Sequence, residues 1–85
     1  MKRAYPIIMT RGEKYIVVSV PDFEIGTQGE DIPDAMDMAR DAIGIVGIDM
    51  EDSGELLPEA SSLAQVQKDA PEGAMVSFVD IDFTE

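Results

Sequence analysis

Apolar and polar residues alternate near both ends of the chain and step by three or four through its middle. Residues 4–10 (AYPIIMT) and 14–20 (KYIVVSV) carry the β-branched and aromatic alternation of strands. Arg11, Gly12 and Glu13 separate them, with Gly12 placed to take a positive φ, so the two runs predict an antiparallel hairpin. Ile16, Val18 and Val20 share one face, while Tyr15, Val17 and Ser19 share the other. That division predicts a sheet with one face covered by helix and one half-exposed. Pro6 cannot donate to a ladder, so its strand starts at a sheet edge or is paired on one side there. Pro21 and Asp22 end the second run, and residues 24–29 (EIGTQG) form a short third strand.

The period then changes. Ile32, Ala35, Met36, Ala39, Ala42, Ile43, Val46 and Met50 form a helical stripe, with Asp34, Asp37, Arg40 and Asp41 on the opposite side. Asp31 is a suitable N-cap, Asp34 the acidic half of a capping box, and Pro33 sits in the first turn where its missing N–H costs nothing. Gly44 and Gly47 each cost about 1 kcal/mol against alanine in a helix interior, which predicts close packing on the sheet or a weak second half. Gly54 is placed to close the helix. Residues 55–59 (ELLPE) read as a linker tacked to the core by its leucines. Ser61 or Ser62 caps a short helix over residues 63–68, Pro71 and Gly73 break the chain, and residues 74–83 make the last strand. On that strand Met75, Ser77, Val79, Ile81 and Phe83 share a face. The order β-β-β-α-(α)-β predicts a small α+β domain: a mostly antiparallel sheet with one long helix packed on it.

At 85 residues the chain makes one domain, residues 1–85, with a single core. It has no cysteine and no histidine, which excludes disulfides, thiolate metal sites and Ser-His or Cys-His nucleophile systems. No cofactor is implied. The net charge is −12, and four of the six basic residues (Lys2, Arg3, Arg11, Lys14) fall in the first fourteen positions. The balance argues against direct nucleic-acid binding and suits a basic protein partner. No apolar run approaches the roughly 20 residues of a membrane span, and no signal peptide is visible, so a cytoplasmic location is the default expectation.

Two arrangements invite a catalytic or metal reading. Asp80 and Asp82 point to the same side of the last strand, as a reduced Mg²⁺-dependent nuclease would need, yet only Asp22 or Glu24 is available to join them. A solvated strand end explains the pair as well. Residues 49–60 imitate a calcium loop, but Ala60 stands where a bidentate glutamate is required and Pro58 intrudes. Met36, Met50 and the neighbouring Met38 read as core rather than as a binding groove.

Several motifs in order resemble the N-terminal domain of HicB antitoxins. They are Tyr5-Pro6; Val20-Pro21-Asp22-Phe23; Thr27, Gly29 and Glu30 before a helix with alanines at 35, 39 and 42; residues 54–59 (GELLPE); and residues 79–82 (VDID). The chain departs from the family where Glu24-Ile25-Gly26 replaces a P-G-C-like segment, and where Pro33-Asp34 replaces paired glutamates. The resemblance implies a partial RNase H-like fold and a non-enzymatic antitoxin of a type II toxin–antitoxin system. It implies a partner, a small basic HicA-type mRNA-cleaving toxin, whose active-site surface would be covered, and a homo-oligomer. Family members often carry a C-terminal ribbon-helix-helix or helix-turn-helix domain that binds operator DNA. The resemblance therefore implies either a protein of the short kind or residues that lack a C-terminal DNA-binding domain, through which alone a full-length protein would bind DNA and autoregulate its operon.

Two surfaces become candidates for the toxin on that basis. One is the polar stretch Asp22, Glu24, Thr27 and Gln28, where a carboxylate can pair with lysine or arginine, although Asp22 can equally bond within its own turn. The other is the acidic helix face of Asp34, Asp37 and Asp41, which without the resemblance reads as an ordinary solvent face. The competing functions are the diminished nuclease and a regulatory domain that binds some other protein.

Overall fold

The alternating segments form strands because alternation lets each bury one face. In the computed structural model, which describes residues 2–83, β1 (Lys2–Arg11) lies inside the sheet between β2 (Ile16–Val20) and β4 (Met75–Asp82), and β3 (Ile25–Gly29) lies outside β2. All three pairings are antiparallel, so the sheet is more uniform than expected. The even-spaced residues of β2 are buried in the core, together with Tyr5, Ile7 and Met9 of β1 and Val79 and Ile81 of β4. Val17 and Phe78, on the other face, are each more than two-fifths exposed.

Pro6 shows how β1 tolerates a proline inside a sheet. It lies opposite Phe78 of β4, whereas the ladder to β2 begins only at Ile8. The missing N–H therefore leaves no rung empty on the β2 side. At the hairpin, β2 starts two residues later than expected, and the Gly12 N–H donates to the Tyr15 carbonyl at 2.8 Å. Gly12 does not adopt a positive φ: among the described residues those that do are Glu24, Gly54 and Gly73. The connection is long enough to reverse the chain without a left-handed residue at that point.

Helix α1 (Ile32–Asp52) begins and ends as its terminal residues dictate. The Asp31 carboxylate accepts from the Asp34 N–H at 2.9 Å, and the Asp34 carboxylate accepts from the Glu30 N–H at 2.9 Å. At the other end Gly54, at φ 79°, allows its N–H to reach the Glu51 carbonyl and the Glu55 N–H to reach Met50. This double closure satisfies carbonyls that the last turn would leave orphaned. The fully buried positions are Ala35, Ala39, Ile43 and Gly47, a narrower stripe than the sequence predicts. Met36 packs at the margin of the core, while Met38 is 41% exposed and is not a core residue.

Close approach explains the small residues. A Cβ at Gly29 would stand 2.3 Å from the Ala35 backbone nitrogen, and one at Gly47 would stand 2.3 Å from the Phe83 ring. Gly44 has open space around its Cβ direction, so packing does not account for it. Beyond α1, residues 55–62 form neither helix nor strand; Leu57 packs on the core, but Leu56 is 91% exposed and does not tack the linker down as expected. Ser62 caps α2 (Leu63–Asp69), its hydroxyl accepting from the Gln65 N–H, and α2 packs beside β4 and β1. Among the described residues no helix is long and apolar enough to cross a membrane.

The three glycines yield a ranked prediction. Gly29→Ala should lower the unfolding free energy by at least about 2 kcal/mol, since the colliding atoms are backbone and cannot rotate away. Gly44→Ala should raise it by up to about 1 kcal/mol through helix propensity alone. Gly47→Ala should fall between, because the Phe83 ring must shift to admit the methyl group. Urea denaturation of the three variants checks the order, and a stable Gly29→Ala protein would contradict the seating of α1.

Candidate functional site

The segment between β2 and α1 was the densest in candidate residues, and the structure divides them by task. Pro21–Phe23 forms a single 3₁₀ turn. The Asp22 carboxylate, half-buried, accepts from the Ser61 N–H at 2.9 Å and also from the Ser61 hydroxyl. The Phe23 ring meets Tyr5 edge-on with centroids 4.8 Å apart. The Tyr5 hydroxyl donates to the Pro58 carbonyl at 2.7 Å, and the Arg3 guanidinium reaches the same carbonyl at 3.3 Å. Asp22, Tyr5 and Arg3 thus hold the irregular linker against the end of the sheet. Sequence distance concealed this, since Asp22 and Ser61 lie 39 positions apart.

Glu24 follows in the left-handed region at φ 53°, its N–H donating to the Pro21 carbonyl. A non-glycine residue there costs about 1–2 kcal/mol. The nearby Gly26 does not relieve it, because Gly26 lies in β3 with no positive φ. The departure noted at Glu24-Ile25-Gly26 therefore has a conformational consequence: the left-handed position falls on a glutamate. Thr27 is half-buried beside Val18, whereas Gln28 is exposed.

On α1, Asp34 is occupied by capping and Asp37 pairs with Arg40 at 2.9 Å. Asp41 is exposed and makes no hydrogen bond or ion pair among the described residues. Around it lies a pattern that the sequence reading missed. Asp34, Met38, Asp41, Ile45, Ile48 and Asp52 step by four, three, four, three and four, a second helical stripe opposite the buried one. Ile45 is 68% exposed, and Met38 and Ile48 are also open to solvent. Sorting the apolar residues of α1 into two stripes instead of one would have revealed it. The stripe joins large apolar side chains to carboxylates on a single face. The candidate residues accordingly form no single cluster: Glu24 and Gln28 belong to the sheet edge, Asp37 and Asp41 to the helix surface.

The carboxylates at the end of β4 are differently engaged. Arg40 reaches across from α1, donating to the Asp80 carbonyl at 3.2 Å and to the Asp80 carboxylate at 3.4 Å. Among the described residues no group of three or more acidic side chains is arranged to hold a metal ion. An open groove of about 570 Å³ lies along the linker, lined by Arg3, Leu56, Leu57, Glu59 and Ala60. It carries both signs of charge and no convergent set of catalytic groups.

Comparison with known proteins agrees on one family. The model described as "HicB_like antitoxin of bacterial toxin-antitoxin system" matches residues 5–85. A chain of a toxin–antitoxin complex from Streptococcus pneumoniae superimposes with a TM-score of 0.83 at 26% identity, over 98% of this chain and 71% of that one. The N-terminal domain of the Burkholderia pseudomallei antitoxin HicB gives 0.83 at 26% identity, over 94% and 99%. A chain of the HicA3 and HicB3 toxin–antitoxin complex gives 0.74 at 22% identity and supports the fold alone. No curated protein matches the chain in a sequence search.

Removing the Asp22 carboxylate tests the linker attachment. Asp22→Ala should cost about 1–3 kcal/mol, the usual range for losing hydrogen bonds to a charged group. It should also speed cleavage by a Glu-specific protease at Glu55 and Glu59. Asp22→Asn, which can still accept, should lie between the alanine variant and the wild type. Unchanged cleavage in Asp22→Ala would mean that the linker is held by other contacts.

Proposed function

The chain belongs to the HicB-like antitoxin family, and from that premise we propose that it neutralises a small, basic, HicA-type ribonuclease toxin by covering the toxin's active-site surface. The observation that carries the location is the solvent stripe of α1. Large apolar side chains are usually withdrawn from water, yet Met38, Ile45 and Ile48 stand exposed beside Asp41, a carboxylate with no partner among the described residues. Apolar centres rimmed by charge are the anatomy of protein interfaces. The acidic rim steers a cationic partner, and the apolar residues hold it once docked. Asp34 and Asp37 lie on the same helix, Glu24, Thr27 and Gln28 at the separate β3 edge are further candidate contacts for the toxin, and Asp22 contributes by fixing the linker.

The action is occlusion without chemistry on this side. The nuclease alternative would need Asp80 free to bind a metal ion, and Arg40 competes for that carboxylate. Self-association and a cytoplasmic setting, beside the toxin's mRNA substrate, are parts of the same proposal. At net charge −12 the 85 residues carry no electrostatic footprint for DNA. Repression of the operon would therefore rest on a basic segment outside them.

Co-expression with the cognate toxin tests the function: growth should be restored, and failure to restore it would sink the reading. For the location, Asp41→Lys and Ile45→Glu should each weaken the complex by about tenfold or more, equivalent to roughly 1.4 kcal/mol. Neither should alter the fold, since both positions face solvent. Association by stopped flow should slow as salt rises, because the acidic rim acts over a Debye length of about 10 Å at 0.1 M.

A further inference from the structure

The sheet has two edges, and the structure treats them differently. The bond from the Gly12 N–H to the Tyr15 carbonyl sets the alternation of the ladder. Bonded and non-bonded pairs alternate along antiparallel strands. Thr10/Val17 and Ile8/Ser19 are therefore bonded pairs, and Ile16, Val18 and Val20 turn their N–H and C=O groups toward β3. Their partners there are Gly29, Thr27 and Ile25. It follows that the N–H and C=O groups of Gly26 and Gln28 point away from the sheet. Both residues are exposed, and no backbone bond among the described residues involves these outward groups.

At the opposite edge, Arg40 lies over the Asp80 carbonyl, and Asp80 and Asp82 add charge. Such devices discourage strand addition. Along β3 there is no comparable guard: residues 25–29 (IGTQG) are uncharged, and two of them lack a side chain. The ends of this edge are closed by the chain itself, through Glu24 N–H to Pro21 and Glu30 N–H to Asp34. Between those caps a short open rung remains, with the exposed carboxylates of Glu24 and Glu30 at either end.

We propose that the outer edge of β3 is a strand-addition site for an extended segment of a basic protein, hydrogen-bonded through the backbone of Gly26 and Gln28, with lysine or arginine placed against Glu24 and Glu30. Main-chain bonds supply the affinity in this mode and flanking side chains the selectivity. Charge decides against a second copy of the chain. A two-fold pairing centred on Thr27 would set Gly26 against Gln28, as required, but would also set Glu24 against Glu30 twice, and like charges directly opposite destabilise a sheet. A cationic strand turns the same two residues into attractive contacts. The inference rests on the toxin-binding reading and names the toxin as the occupant.

The test uses the full chain and its cognate toxin in a catalytically inactive form. In amide hydrogen exchange, Gly26 and Gln28 should exchange rapidly in the free protein and become protected in the complex. Gln28→Pro removes the outward N–H without touching the bonds to β2, and should weaken the complex by roughly tenfold or more, whereas Gln28→Ala keeps that N–H and should stay within about threefold. Should Gln28→Pro fail to fold by circular dichroism, the exchange measurement on the wild type decides alone. A complex that forms with both amides unprotected and with Gln28→Pro binding normally overturns the proposal and leaves the antitoxin reading intact. Absence of any complex overturns both. Protection that rises with protein concentration in the absence of toxin overturns the choice of occupant in favour of a second copy.

Discussion

The seating of α1 on the sheet depends on the approach of two backbones where Gly29 meets Ala35. A single methyl group at position 29 would stand 2.3 Å from a helix nitrogen, closer than packed atoms can come. With hydrogen there instead, β3 passes directly into α1 and the helix can lie flat across the strands. Ala39 and Ile43 are fully buried along the same stripe, and Gly47 lets the Phe83 ring close the far end. The helix therefore reaches from β3 at one edge of the sheet to the end of β4 at the other. For a chain of 85 residues this economy matters, since a small domain buries a lower fraction of its surface than a large one and has little stability in reserve.

That seating also determines which side of α1 is presented to solvent. Once Ala35, Ala39, Ile43 and Gly47 face inward, Asp34, Met38, Asp41, Ile45, Ile48 and Asp52 must face outward, because the stripes are on opposite sides of one cylinder. The placement of exposed apolar residues is thus a consequence of the core as much as a feature of the surface. The polar groups near the sheet end have a complementary task. Asp22, Tyr5 and Arg3 satisfy the linker's backbone and hydroxyl groups, so an irregular segment is held in place with little apolar burial. Its Leu56 remains in water while Leu57 packs.

Local chemistry was readable in advance where it acts within a few residues. The Asp31 cap, the Gly54 closure, the alternation of β2 and the order of elements all follow from short-range rules, and the structure contains each of them. What escaped the sequence was non-local or degenerate. Leucines 56 and 57 have the same composition, and only the path of the linker separates the exposed one from the packed one. Met38 belongs to an apolar set that periodicity alone assigns to either stripe, and the contact of Asp22 with Ser61 joins residues 39 positions apart. Gly12 had the right residue type for a left-handed turn, but the conformation went to Glu24, where the chain must leave a 3₁₀ turn and enter β3. The candidate docking residues were therefore visible as types of side chain, whereas their division between an edge and a helix face required the fold.

Arg40 illustrates how a strongly acidic chain can use a single cation. It is the only basic residue between Lys14 and Lys68, and it sits where α1 passes the outer edge of β4. Its guanidinium donates to Asp37, to the Asp80 carboxylate and to the Asp80 backbone carbonyl. The planar fork suits this simultaneous role better than the point charge of a lysine. The ion pairs themselves are solvent-exposed and contribute little to stability. Their value lies in position. By holding the guanidinium over an outward carbonyl, they obstruct approach of another strand at β4, while the flanking aspartates repel acidic copies of the same chain. The opposite edge, without such cover, is left to selection by charge alone, and the glutamates at its two ends favour a cationic strand over an acidic one.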